Sequence, residues 1–141
     1  MTDRITAAEY QALTKTKPKK KSKYGNVPTE YGGRTYHSKA EAATAALLDN
    51  LQRVGKIRSW LPQQPSFPMP GGGKYTADFE IFIEYKNMLI VLVHDTKGYD
   101  TAESKLKRNY VKEKYGVMIT TTDSDLIEVV QQRLDFLYLL T

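Results

Sequence analysis

The chain has no cysteine, which excludes disulfide frameworks, Cys-ligated zinc and thiol catalysis. It also lacks long apolar runs. The longest, from Met88 to Val93, is far short of the ~20 residues a membrane span needs. No apolar stretch follows Met1 to Arg4, so the start does not read as a secretory leader. What is present is ordinary: 141 residues, 40% hydrophobic and 26% charged, enough for one domain with a core of its own. These features predict a soluble cytoplasmic protein with no membrane contact and no organic cofactor.

Charge is less ordinary. The formal net charge is +5, yet residues 1–40 hold nine Lys or Arg against three Asp or Glu, while residues 41–141 hold twelve against thirteen. Five of those nine cations, Lys17, Lys19, Lys20, Lys21 and Lys23, stand within seven positions. Such a block cannot fold on itself. It reads either as a solvated arm or as a contact for a polyanion, and charge alone leaves both open. The expected division is a disordered basic arm over 1–23 and a single domain over 24–141.

Local patterns then predict the elements. Thr6 to Glu9 has capping-box spacing and suggests a short helix to about Leu13. Tyr24 to His37 reads as loop or a short hairpin. Ser38 to Glu41 is a second capping box opening a helix that runs to Val54 and stops at Gly55. A strand is expected over Ile57–Leu61, then an extended proline-bearing stretch barred from a central ladder position, then a turn at Gly71–Gly73. Tyr75–Tyr85 and Met88–Asp95 read as two strands of one hairpin closed by Lys86-Asn87. A basic helix over Ala102–Tyr115, with Asp100 as its N-cap, a short strand at Val117–Thr121 and an amphipathic helix over Asp125–Leu139 complete an α/β domain with a mixed sheet.

The hairpin carries the sharpest inference. With the turn at Lys86-Asn87, Tyr85 faces Met88 and Asp78 falls directly across from Asp95. Alternation puts Phe79, Ile81 and Ile83 with Ile90, Leu92 and His94 on a core face. Asp78 and Asp95 share the other face with Lys97. Opposed like charges destabilise a sheet by about 0.2–1 kcal/mol, and two carboxylates that close either share a proton or bind a cation. Hard oxygen donors suit Mg²⁺, with Mn²⁺ a possible substitute, and an adjacent lysine can orient a nucleophile or offset developing charge. A turn cap for Asp95 and a backbone contact for Asp78 are the structural alternatives. Glu41 likewise either folds back to the Ser38 amide or projects from the first helical turn toward the pair.

Glu41 on a first helix, Asp78 on a strand and Asp95-Thr96-Lys97 on the next resemble the PD-(D/E)xK nuclease superfamily. More closely, the chain resembles a family of small phage and prophage proteins, long of unknown function and related to these nucleases. Segments carrying the likeness include Lys23 to Asn26, Ser38 to Ala42, Gly55 to Ile57, Gln64-Pro65, Tyr75 to Phe79, His94 to Gly98 and Tyr115 to Val117. The resemblance implies a restriction-endonuclease-like αβββαβ core with an extra C-terminal helix. It implies metal ligation by Glu41, Asp78, Asp95 and the Thr96 carbonyl, with Lys97 catalytic and Gln64 at the site's edge. His94 stands where the family often has an acid, and Ser104 where it usually has an aromatic.

The implied activity is Mg²⁺-dependent hydrolysis of phosphodiester bonds in DNA, branched DNA included. A nucleic-acid-binding accessory protein that keeps the fold without cutting is the competing expectation. Lys19, Lys20, Lys21 and Lys23 of the arm, with Lys105, Lys107 and Arg108 of the basic helix, are the expected phosphate contacts. Two cuts need two sites, which favours a homodimer. The apolar face of the last helix, Leu126, Val129, Val130, Leu134, Leu137 and Leu140, either forms its interface or covers the sheet.

Overall fold

The computed structural model describes residues 26–97 and 100–140. The helix expected over Thr6–Leu13, the basic arm and the break at Gly98 lie outside them. In chain order the elements are β1 (Thr29–Tyr31), β2 (Arg34–Tyr36), α1 (Lys39–Arg53), β3 (Ser59–Pro62), β4 (Ser66–Pro68) and β5 (Lys74–Thr76). There follow β6 (Phe79–Tyr85), β7 (Met88–His94), α2 (Ala102–Tyr115), β8 (Ile119–Thr120) and α3 (Asp123–Leu139). The main sheet has the order β3-β6-β7-β8, antiparallel except where β8 joins β7 in parallel. This is a mixed α/β architecture, and no helix among the described residues is long and apolar enough to cross a membrane.

The helices form where their caps direct. Ser38 Oγ accepts from the Glu41 amide at 3.1 Å and starts α1. Thr122 opens α3 by accepting from the Asp125 amide at 3.1 Å. Gly116 ends α2 in the left-handed region at φ 66°, which glycine enters without steric cost. Asp100 does not cap α2. Thr101 does, accepting from the Ser104 amide, while Asp100 pairs with Arg108.

Two apolar layers hold the sheet. On one face, Ala45 and Leu48 of α1 and Leu126, Val130 and Leu137 of α3 bury against Phe79, Ile81, Ile83 and Leu92. On the other, Val111 of α2 packs with Val93, Ile119, Tyr75 and Ala77. The last helix thus covers the sheet: of its apolar face, Leu126, Val130 and Leu137 are core and Val129 and Leu134 are partly buried against it, while Leu140 is exposed.

The expected strand Tyr75–Tyr85 is instead two. It breaks at Ala77-Asp78, where the Ala77 amide bonds to the Pro65 carbonyl and the Asp78 carbonyl accepts from the Gln63 amide. The break moves Tyr75 and Ala77 to the α2 side, while Phe79 stays on the α1/α3 side. β5 pairs with β4 in a small separate hairpin closed by the expected glycine turn. The strand expected at Ile57–Leu61 starts two residues later, at Ser59, and ends one later, on Pro62, at the sheet's edge, where a missing amide donor is tolerated.

Candidate active site

Regular pairing of β6 with β7 runs from Tyr85↔Met88 to Phe79↔His94. Asp78 and Asp95 are therefore the first residues past the ladder on either strand, opposed as the spacing predicts. Asp78 Oδ2 accepts from the Thr96 amide at 2.8 Å, a bond that ties the two chain segments together. The Asp95 amide donates to the Thr120 carbonyl at 2.9 Å and the Lys97 amide to the Thr121 carbonyl at 3.2 Å, so the segment from β8 fixes the backbone of both residues.

Asp95 is 3% exposed. Its Oδ2 accepts from the Tyr75 hydroxyl at 2.6 Å and lies 3.3 Å from Lys97 Nζ. Burial, then the charges of Asp95 and Glu41, push the Asp78 carboxyl from 3.8 up to about 8, with Lys97 pulling the other way. Without a cation, this favours the protonated form of Asp78. Tyr75 is also raised, chiefly by burial and then by the Asp95 charge, so its hydroxyl is a neutral donor.

Glu41 enters from the first turn of α1. It does not return to the Ser38 amide. Its Oε2 is buried without a hydrogen-bond partner, 3.9 Å from His37 Nδ1. Burial raises its pKa most; the Asp95 charge adds to this, and His37 and Lys97 oppose it. Glu41, Asp78, Asp95 and Lys97 thus act on one another as a single electrostatic cluster. Three carboxylates against one lysine, with one buried carboxylate oxygen unpartnered, have the donor chemistry of a hard divalent cation. Among the described residues, no three His, Asp or Glu side chains stand close enough to enclose an ion. The arrangement is a carboxylate pair with Glu41 beside it, not a finished cage.

Behind the pair lies a polar layer the sequence did not reveal. The Thr44 hydroxyl, one turn after Glu41 on α1, is 2.6 Å from Asp123 Oδ1 and 3.2 Å from the Thr96 hydroxyl. His94 is fully buried on the core side as expected. Its Nδ1 meets the Thr120 hydroxyl at 2.6 Å, and burial lowers its pKa to about 4. Tyr75 was also missed. Continuous alternation assigns it to the core face, and only the break at Ala77-Asp78 brings it to Asp95.

The remaining expected residues divide. Gln64 is exposed and follows Gln63, whose amide donates to the Asp78 carbonyl at 2.6 Å. Lys105 and Lys107 are exposed, Lys107 within 3.0 Å of Glu103. Arg108 departs from expectation: it is buried and ion-paired with Asp100, and does not offer a solvent-facing guanidinium. Lys19, Lys20, Lys21 and Lys23 lie outside the described residues.

The fold and site define a mixed α/β protein with an acid–lysine cluster at the end of its central hairpin. The signature of the family described as "Protein of unknown function (DUF1064)" matches residues 21–124, and the chain belongs to that family. No curated protein and no solved structure matches the chain.

Proposed function

We propose that this protein is a divalent-metal-dependent endonuclease acting on DNA, of the PD-(D/E)xK kind and phage type. The observation that carries the reading is the opposed pair Asp78 and Asp95, with Lys97 Nζ 3.3 Å from Asp95 and the buried Glu41 carboxylate close enough to feel the Asp95 charge. A structural role gives no reason to gather repelling carboxylates at a sheet end, since each raises the cost of ionising the next. The αβββαβ order of α1, β3, β6, β7, α2 and β8 supports a restriction-endonuclease-like core.

Glu41, Asp78, Asp95 and the Thr96 carbonyl would hold Mg²⁺ or Mn²⁺, which when bound supplies Lewis-acid charge and eases deprotonation of water. Tyr75 holds one oxygen of Asp95 and the Thr96 amide holds one of Asp78, so the carboxylates are oriented before substrate arrives. Lys97, with 26% of its side chain exposed, keeps its ammonium where charge develops on phosphate oxygens or where the attacking water must be held. Lys105 and Lys107, with the arm, would bind the DNA backbone. A homodimer placing two sites on one duplex fits this role, and its surface is not the buried face of α3. The host cytoplasm is the compartment this activity needs.

A non-cutting nucleic-acid-binding protein is the second reading, favoured by the absence of a three-ligand cage among the described residues. The experiment is a gel assay of linear duplex, single-stranded and four-way-junction DNA in Mg²⁺, Mn²⁺ or EDTA, with Lys97→Ala alongside. We expect metal-dependent cleavage reduced by about 10²-fold or more in the variant. Binding without cleavage in either metal, unchanged in the variant, selects the second reading.

A further inference from the structure

A cleft of about 850 Å³ separates α2 from α3, and residues 116–121 run along its floor. That floor is a sheet edge: among the described residues β8 pairs with β7 alone. The register sets Val93 beside Ile119 and His94 beside Thr120. The Val93 amide bonds to the Met118 carbonyl and the Asp95 amide to the Thr120 carbonyl. With Met118 and Thr120 turned inward, the N–H and C=O of Ile119 point away from β7, toward the cleft. An unpaired backbone edge is a template for another strand.

The walls differ in charge. α2 contributes Lys105, Arg108, Asn109 and Lys112, spaced as one helical face, and α3 contributes Asp125, Glu128, Val129 and Gln132 at the same spacing. α2 packs on the face of the sheet that carries Val93, and α3 on the face that carries Leu92. A strand laid beside β8 alternates its side chains between those two faces, and so between a cationic and an anionic wall. A second observation points the same way. Arg108 lines the cleft at 6% exposure beside its ion-pair partner Asp100, and Arg108 Nη1 and Asp100 Oδ1 are both buried without a hydrogen-bond partner, leaving one donor and one acceptor for a guest.

We propose that the cleft between α2 and α3 is a docking site for an extended peptide segment, added as a strand beside β8 with acidic side chains toward α2 and basic ones toward α3. The acids Asp125 and Glu128 disfavour a nucleic acid there. A second copy of the chain is disfavoured because its own β8 is recessed between two helices, which would meet before the edges did. The proposal does not rest on the nuclease reading. Because the Thr120 and Thr121 carbonyls hold the Asp95 and Lys97 amides, the guest strand would lie one strand away from the carboxylate pair.

The test is selection from a displayed library of random heptapeptides on the full chain, then hydrogen exchange of the Ile119 amide with the enriched peptide bound. The expected result is a consensus alternating acidic and basic residues, with Ile119 exchange slowed by about tenfold or more. The exposed charge-reversal variants Lys112→Glu and Glu128→Lys should each weaken binding by about fivefold or more, with unchanged melting temperatures. The proposal is overturned by a selection that enriches no peptide, or by a consensus without alternation. Binding that survives both reversals, or leaves Ile119 exchange unchanged, also overturns it. Ile119 protection that grows with protein concentration alone assigns the cleft to a second copy, and protection by oligo-dT assigns it to single-stranded DNA.

Discussion

Asp78 and His94 lie at the same end of the central hairpin, and burial moves them in opposite directions. The Asp78 carboxyl rises from 3.8 to about 8, so in the absence of metal the folded state binds more protons there than the unfolded chain. Its stabilising contribution is full below pH 3.8 and lost as pH rises toward 8. His94 falls from 6.5 to about 4. Its contribution is full above pH 6.5 and lost as pH falls toward 4. The two slopes oppose one another between about pH 4 and 6.5, and only the Asp78 slope remains from there to about 8. In EDTA the melting temperature should therefore decline from pH 6.5 to 8.5 or so, and Asp78→Asn should abolish the decline. A variant that is instead strongly destabilised at pH 8 in EDTA would show that Asp78 has a structural partner that asparagine cannot replace. At this scale the sequence showed the opposed carboxylates and the core-facing His94 through period-two alternation. Tyr75 and Thr44 were illegible, because what brings them to the site is a break in a strand and a contact between distant segments.

Among the elements, α1, α2, α3 and the β6–β7 hairpin were readable because each is bounded by a local signal: a hydroxyl cap, a left-handed glycine or a two-residue turn. The small β4–β5 hairpin was not, since Ser66–Pro68 has no alternation that survives its prolines. The role of α3 was also open from its pattern alone, as an apolar stripe at helical spacing serves a dimer or a sheet equally well. Tertiary structure places Leu126 fully buried against the sheet. Leu126→Ala should accordingly cost about 3 kcal/mol by removing packed volume from the core, read by urea unfolding. Sedimentation should show no change in oligomeric state. A stable variant with a dissociated oligomer would instead return α3 to the interface.

For the whole molecule, charge is unevenly placed along the chain. The excess of positive charge falls in residues 1–40 and the remainder is nearly balanced. Among the described residues, both apolar clusters are drawn from residues 31–137. Deleting residues 1–22 should therefore reduce DNA affinity and flatten its dependence on salt, since each lost phosphate contact removes about one unit from the slope of log affinity against log salt. The melting temperature should change little. A large loss of stability would place the arm within the folded core.

The sequence by itself determined the α/β class, the hairpin register and the opposition of Asp78 to Asp95, because period, turn and alternation are local properties of the backbone. It also determined which residues have the chemistry to hold a cation. Tertiary structure alone decided that Glu41 buries an oxygen without a hydrogen-bond partner, that Tyr75 holds Asp95, that Arg108 is buried against Asp100, and that among the described residues β8 keeps an open edge between walls of opposite charge. Each of these depends on the packing of segments far apart in the chain, and no local spacing encodes such a contact.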